Sequence, residues 1–119
     1  MPLTPSDVQA WLGRYVAAWH SNDPALVGAL FTEDVAYRFR PYEEPVLGRQ
    51  AVVDAWLEDP DAPDSWTADY RVWAVTGDHA ATTGETHYTD GSVFHNVFLL
   101  TFRDGACSSY TEWFVTAGA

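Results

Sequence analysis

The second half of the chain constrains the fold most, because it reads as four strands separated by short turns. Strands are predicted over residues 66–75, 79–88, 92–102 and 106–115. The breaks between them are Thr76-Gly77-Asp78, Thr89-Asp90-Gly91 and Arg103-Asp104-Gly105. An Asp-Gly pair between alternating runs is among the strongest short hairpin signals. Connections this short join antiparallel neighbours, so we expect a four-stranded meander.

The first residues predict two helices. Ser6 with Gln9 three positions later forms a capping-box pattern for the first helix. Apolar side chains then recur on one stripe at helical spacing: Val8, Trp11, Leu12, Tyr15, Val16 and Trp19. A second helix is predicted to begin with Asp23 as its N-cap and Pro24 in its first position.

The middle of the chain predicts one strand, one helix and two loops. Val35, Tyr37 and Phe39 alternate with polar or small residues, which is typical of a half-buried strand. The segment 41–48 is rich in residues that break regular structure and is followed by a third helix, from Arg49 to about Glu58. An acidic, proline-punctuated loop is expected over 59–65.

These elements favour one α+β domain over residues 1–119. Helices that come first and strands that follow are typical of a sheet with helices packed on one face. A curved antiparallel sheet around a long N-terminal helix leaves a hollow between them. The aromatic share of 15% suits the wall of an apolar cavity, and it suits an ordinary core equally.

Charge and composition exclude several classes of partner. The net charge is −11, and the six basic residues are all arginine. A chain without a clustered basic surface does not bind nucleic acid or anionic membranes. The N-terminus lacks the features of a signal peptide, and no apolar run approaches about 20 residues, so we expect a cytoplasmic protein. The single cysteine, Cys107, excludes an intramolecular disulfide and is expected to be a passive thiol.

No cofactor or metal is expected. The sequence has no glycine-rich phosphate loop and no nucleophile elbow around Ser108 or Ser109. A metal site remains the alternative for the four histidines, His20, His79, His87 and His95. His87 and His95 flank one hairpin, and Glu85 or Glu112 could add an oxygen ligand, but no close pair of ligands of the zinc type is present.

Five segments resemble the nuclear transport factor 2-like superfamily, and the resemblance follows its SnoaL-like branch. They are 13–23 (GRYVAAWHSND), 30–35 (LFTEDV), 45–52 (PVLGRQAV), 98–105 (FLLTFRDG) and 110–114 (YTEWF). The resemblance implies a cone-shaped, cystatin-like roll of three helices and about five strands. It also implies a small-molecule cavity, acid/base chemistry without a cofactor, and a homodimer formed through the exposed sheet face.

Compared with the ketosteroid isomerases of that superfamily, the chain keeps one of three functional positions. Tyr15 matches their hydrogen-bonding tyrosine on the first helix. Phe39 stands where they have the general-base aspartate, and Phe98 stands where they have the second acid. Ketosteroid isomerase activity is therefore disfavoured.

Other residues are better candidates for the chemistry. Strand periodicity places Thr83, Glu85 and His87 on one face. The corresponding faces of the next strands carry Phe94, Asn96 and Phe98, then Tyr110, Glu112 and Phe114. The resemblance assigns these faces to the cavity, where burial would raise the pKa of a carboxyl group toward neutrality.

We therefore predict that Glu112 or Glu85 transfers protons, with His87 as an acid/base partner and Tyr15 as a donor to an oxyanion. The residues expected to bind the substrate are Asn96, Trp19, Phe39, Trp56, Phe98, Tyr110 and Phe114. The expected function is that of a cofactor-independent isomerase, cyclase, dehydratase or hydrolase acting on a hydrophobic or aromatic small molecule. The alternative is a non-catalytic ligand-binding or dimerisation module. The segment 41–48 is either a lid over the cavity or a plain connector.

Overall fold

A computed structural model describes residues 2–58, 60–62 and 64–116. Asp59 and Pro63 of the predicted acidic loop lie outside the described residues. The helices are α1 (Pro5–Ser21), α2 (Pro24–Gly28) and α3 (Arg49–Glu58). The strands are β1 (Phe31–Arg38), β2 (Val46–Leu47), β3 (Trp66–Thr76), β4 (His79–Tyr88), β5 (Val93–Arg103) and β6 (Ala106–Thr116). No helix among these residues is long and apolar enough to cross a membrane.

The ends of α1 follow ordinary capping chemistry, but from a different residue than predicted. Thr4, not Ser6, is the N-cap: its hydroxyl accepts from the Asp7 N–H, and the Asp7 carboxylate accepts from the Thr4 N–H. Pro5 in the first helical position explains the shift, because its fixed φ and missing N–H suit that position. Asn22 ends the helix in the left-handed conformation, with φ of 54°.

The sheet contains the predicted meander and two features that were not predicted. Its strand order is β2-β1-β6-β5-β4-β3, and β3 to β6 pair antiparallel in sequence. β1 pairs with β6 in parallel, so the sheet is mixed and not wholly antiparallel as expected. The additional strand β2 pairs antiparallel with β1 through Ala36 and Tyr37. The long connection between β1 and β6 permits the parallel pairing, because only short hairpins force strands to be antiparallel.

The core lies between α1 and the concave face of the sheet. The buried stripe of α1 consists of Val8, Trp11, Leu12, Tyr15 and Ala18. Two side chains fix the position of the helix: the Trp11 indole N–H donates to the Leu30 carbonyl at 3.0 Å, and Gln9 Nε2 donates to the Tyr70 carbonyl at 3.0 Å. The predicted α+β fold, a curved sheet wrapped around the N-terminal helix, is thus confirmed.

Candidate functional site

A cavity of about 580 Å³ lies between α1, α3 and the sheet. Its aromatic lining consists of Tyr15, Trp19, Tyr37, Phe39, Trp56, Tyr88 and Phe114. Its remaining lining consists of Arg40, Ala55, Glu58, Pro60, Asp61 and Glu112. The volume and the apolar walls with a few polar groups are typical of a small-molecule site.

Glu112 on β6 is the carboxylate held most tightly in this cavity. Asn96 Nδ2 on β5 donates to its Oε2 at 2.9 Å, and the Tyr110 hydroxyl donates to its Oε1 at 3.2 Å. Burial raises the pKa of Glu112 to about 6, against the opposing effects of these two hydrogen bonds and of the Arg40 charge. The group is therefore largely ionised at pH 7 but close enough to its pKa to exchange a proton readily.

The Tyr110 donor belongs to a directed chain of hydroxyl groups. The hydroxyl oxygens of Tyr15 and Tyr110 lie 3.0 Å apart. Because Tyr110 donates its only proton to Glu112, Tyr15 is the donor in this pair. Stacking of the Tyr110 ring on Tyr37, with centroids 4.1 Å apart, fixes the middle of the chain. Burial raises the pKa of Tyr15 and of Tyr110, so both phenols are neutral at ordinary pH.

The Asn96 donor belongs to a second chain behind the cavity wall. The Thr86 hydroxyl donates to Asn96 Oδ1 at 2.9 Å, and the Tyr70 hydroxyl lies 2.5 Å from that of Thr86. The Thr86 proton is already used, so Tyr70 donates to Thr86. This arrangement turns the amide of Asn96 so that its NH₂ group faces Glu112. Both chains end by donating to the same carboxylate, which favours its ionised form.

Six of the predicted residues line the cavity. They are Tyr15, Trp19, Phe39, Trp56, Glu112 and Phe114. Asn96, Phe98 and Tyr110 face inward as predicted, but they are buried behind the wall and do not line it. Asn96 acts on the cavity through Glu112, and Tyr110 acts on it through Glu112 and Tyr15.

The predicted orientation of Glu85 and His87 is wrong. The buried positions of β4 are Ala80, Thr82, Gly84 and Thr86, so Thr83, Glu85 and His87 lie on the opposite face of the sheet. There Glu85 Oε2 lies 2.9 Å from His87 Nε2. The error is one residue in register, which reverses every side chain of a strand. A signal was present in the sequence: the buried residues are small and uncharged, whereas the residues that alternate with them include His79, Glu85 and His87.

Sequence reasoning missed several residues that shape the site. Tyr37 follows the same alternation as Phe39 and could have been found from it. Thr86 required the correct register of β4, and Tyr70 required an assignment of the inward face of β3, which the sequence analysis did not make. Glu58 and Asp61 reach the cavity from the end of α3 and the loop after it, where no local pattern marks an inward position.

The remaining predictions concern groups outside the cavity. His95 Nδ1 lies 3.5 Å from Glu85 Oε1, on the same outer face as His87. Within the described ranges, no group of three or more His, Cys, Asp or Glu side chains could hold a metal ion.

Cys107 is fully buried, and burial raises the pKa of its thiol to about 12. In the segment 41–48, β2 pairs with β1, which favours the connector interpretation over a lid.

Comparisons with known proteins agree with this architecture. A putative ketosteroid isomerase from Kribbella flavida is similar, with a TM-score of 0.74 and 22% identity over 97% of this chain and 82% of that one. An NTF-2 like protein of unknown function from Burkholderia xenovorans has a TM-score of 0.72 and 19% identity, over 92% of this chain and 83% of that one. An LEH-like epoxide hydrolase from M. tuberculosis has a TM-score of 0.69 and 11% identity, over 93% of this chain and 84% of that one.

At these identities the solved structures establish the fold alone. A search of curated proteins found no match. The family model described as SnoaL-like domain matches residues 12–110, which is most of the chain. The chain therefore belongs to the SnoaL-like domain family of the NTF2-like superfamily.

Proposed function

We propose that the protein is a cofactor-independent acid/base enzyme that acts on a hydrophobic or aromatic small molecule, with Glu112 as its general base. The observation that carries this proposal is the position of Glu112, a carboxylate with a pKa of about 6 in the wall of an aromatic cavity. A base needs a pKa near the working pH and a fixed orientation. The two donors, Asn96 and Tyr110, supply the orientation.

The tyrosine chain gives Tyr15 a role that depends on the state of Glu112. While Glu112 is ionised, the Tyr15 proton is directed at Tyr110, and Tyr15 offers only a lone pair to the cavity. Once Glu112 Oε1 has taken a proton from the substrate, its O–H can donate to Tyr110, and Tyr110 can donate to Tyr15. The Tyr15 O–H is then free to stabilise an oxyanion on the substrate.

Isomerisation, cyclisation, dehydration and hydrolysis all include such a proton transfer. Steroid isomerisation of the ketosteroid isomerase type is not proposed. Phe39 in the cavity and Phe98 in the core carry no ionisable group at the two acid positions of those enzymes.

The elimination of 5-nitrobenzisoxazole tests the proposal without knowledge of the natural substrate. In this reaction a base removes the ring C–H proton, the C–H electrons form a nitrile, and the N–O bond breaks to leave a coloured phenolate. We expect Glu112→Gln to lower the rate by at least about 100-fold, because the base is lost and the shape is kept. The matched control is Glu85→Gln, which removes a carboxylate from the opposite face of the sheet and should leave the rate unchanged.

The outcome that overturns the acid/base function is a wild-type rate no greater than that of Glu112→Gln. Binding of the probe without turnover would then favour the alternative, a non-catalytic binding module.

We also propose that the chain forms a homodimer through the outer face of its sheet. Four apolar side chains of β5 and β6 are exposed on that face: Val97, Leu99, Trp113 and Val115. Val97 and Trp113 are cross-strand neighbours, so the group forms one outer apolar patch. Light scattering at micromolar concentration should give the mass of two chains, and Leu99→Lys should reduce it to one. A monomeric wild-type protein would refute the dimer.

A further inference from the structure

The lining of the cavity carries more negatively charged than positively charged side chains. Among the described residues, three carboxylates line the cavity, those of Glu58, Asp61 and Glu112, against one cation, Arg40. The Arg40 guanidinium also lies 3.2 Å from the carboxylate of Glu43, which does not line the cavity. Its charge is therefore shared with a group outside. A cleft with carboxylates between low-dielectric walls concentrates a negative potential, and the net charge of −11 adds to it.

The aromatic walls favour the same sign of ligand charge. The faces of aromatic rings are negative and attract cations, most strongly for tryptophan. Trp19 and Trp56 line the cavity together with Tyr15, Tyr37 and Phe39. These rings provide a large apolar surface as well, which binds an uncharged hydrocarbon body.

Asp61 is held in place at the cavity. The Tyr88 hydroxyl donates to Asp61 Oδ2 at 3.2 Å, and Asn22 Nδ2 donates to the Asp61 carbonyl at 3.4 Å. A fixed carboxylate beside aromatic walls pairs well with an ammonium group and repels a second carboxylate.

We infer that the ligand of this cavity is a hydrophobic cation, an aromatic or apolar body that carries a protonated amine or a quaternary ammonium group. The body packs between the rings, and the ammonium group lies near Asp61 and Glu58. This inference rests on the proposed function in one respect, because it assigns the substrate class of the same cavity.

Three probes of the same size test it: (2-naphthylmethyl)trimethylammonium, 2-naphthylmethanol and 2-naphthoate. Isothermal titration calorimetry with the whole chain should show the ammonium probe binding at least about tenfold more tightly than the alcohol, with the carboxylate weakest. Glu58→Gln and Asp61→Asn should each weaken the ammonium probe by about fivefold and leave the alcohol unchanged. Glu33→Gln, which removes an exposed carboxylate of β1, is the control for net charge.

Equal affinity for the alcohol and the ammonium probe would overturn the inference, and so would tighter binding of the carboxylate probe. The inference would also be overturned if none of the three probes binds at millimolar concentration. A variant effect that is the same for all three probes would overturn it as well. These measurements use no turnover, so they are independent of the elimination assay. If the protein prefers the ammonium probe but Glu112→Gln eliminates 5-nitrobenzisoxazole at the wild-type rate, only the acid/base function is refuted. If Glu112→Gln loses the elimination activity but the protein does not prefer the ammonium probe, only the cationic ligand is refuted.

Discussion

Replacing Glu112 by glutamine should stabilise the folded protein at neutral pH while it abolishes proton transfer. Burial raises the pKa of Glu112 from 4.5 to about 6, so the folded state holds this proton more tightly than the unfolded chain does. Between these two pH values the folded state binds more protons, and its stability falls as the pH rises. The full cost, reached above pH 6, is about 2 kcal/mol.

Glutamine carries no charge at any pH and has the shape of the glutamate it replaces. Its carbonyl can accept from Asn96, and its NH₂ group can donate to Tyr110 when that hydroxyl turns toward Tyr15. Any fixed difference between the two proteins is independent of pH. The part of the difference in unfolding free energy that changes with pH therefore comes from the ionisation of Glu112 alone.

Urea unfolding of both proteins from pH 4.5 to pH 8 measures this effect. The free energy of unfolding of Glu112→Gln relative to wild type should increase by about 1.6 kcal/mol across that range, because about 0.4 kcal/mol of the full cost is already present at pH 4.5. The contrasting control is Glu85→Gln. His87 beside Glu85 holds the pKa of that carboxyl below its usual value, so its contribution to stability is present at neutral pH and lost as the pH falls. A difference between Glu112→Gln and wild type that stays constant with pH, or shrinks as pH rises, would refute the reasoning.

Three further predictions concern buried groups of the sheet. Thr86→Val leaves Asn96 Oδ1 without its donor, so urea unfolding should show a loss of about 1–3 kcal/mol; an unchanged midpoint would contradict the second hydrogen-bond chain. Gly84→Ala would place a methyl group against the Asp69 carbonyl oxygen and against Tyr70, and it should destabilise the protein by about 1–3 kcal/mol in the same assay, whereas wild-type stability would show that the strands separate easily. Cys107 should react with a thiol reagent only after unfolding, and rapid reaction of the native protein would contradict its burial.

The strands and helices could be predicted because their boundaries are local. The three turns bounded β3 to β6 to within one residue, and Asp23 with Pro24 marked the start of α2. The parallel pairing of β1 with β6 could not be predicted in this way, because it depends on how distant segments meet.

Half of the candidate site could be predicted for the same reason. Alternation grouped Glu112 and Asn96 with their neighbours on one face of each strand, and the resemblance assigned these faces to the cavity; the structure confirms that both side chains face inward. The alternation of β4 offers two equivalent choices, and only packing against α1 and β3 decides between them. Asp61 was out of reach, because it approaches the cavity through the path of a loop.

The central claim is that Glu112 is a cavity carboxylate tuned toward neutral pH, and its titration tests this most directly. Protein labelled with ¹³C in the glutamate carboxyl groups can be followed by NMR, and the Glu112 signal is the one absent from Glu112→Gln. The account predicts a midpoint near pH 6. A midpoint at or below 4.5 would mean that the carboxyl is solvated, and it would contradict the proposed site.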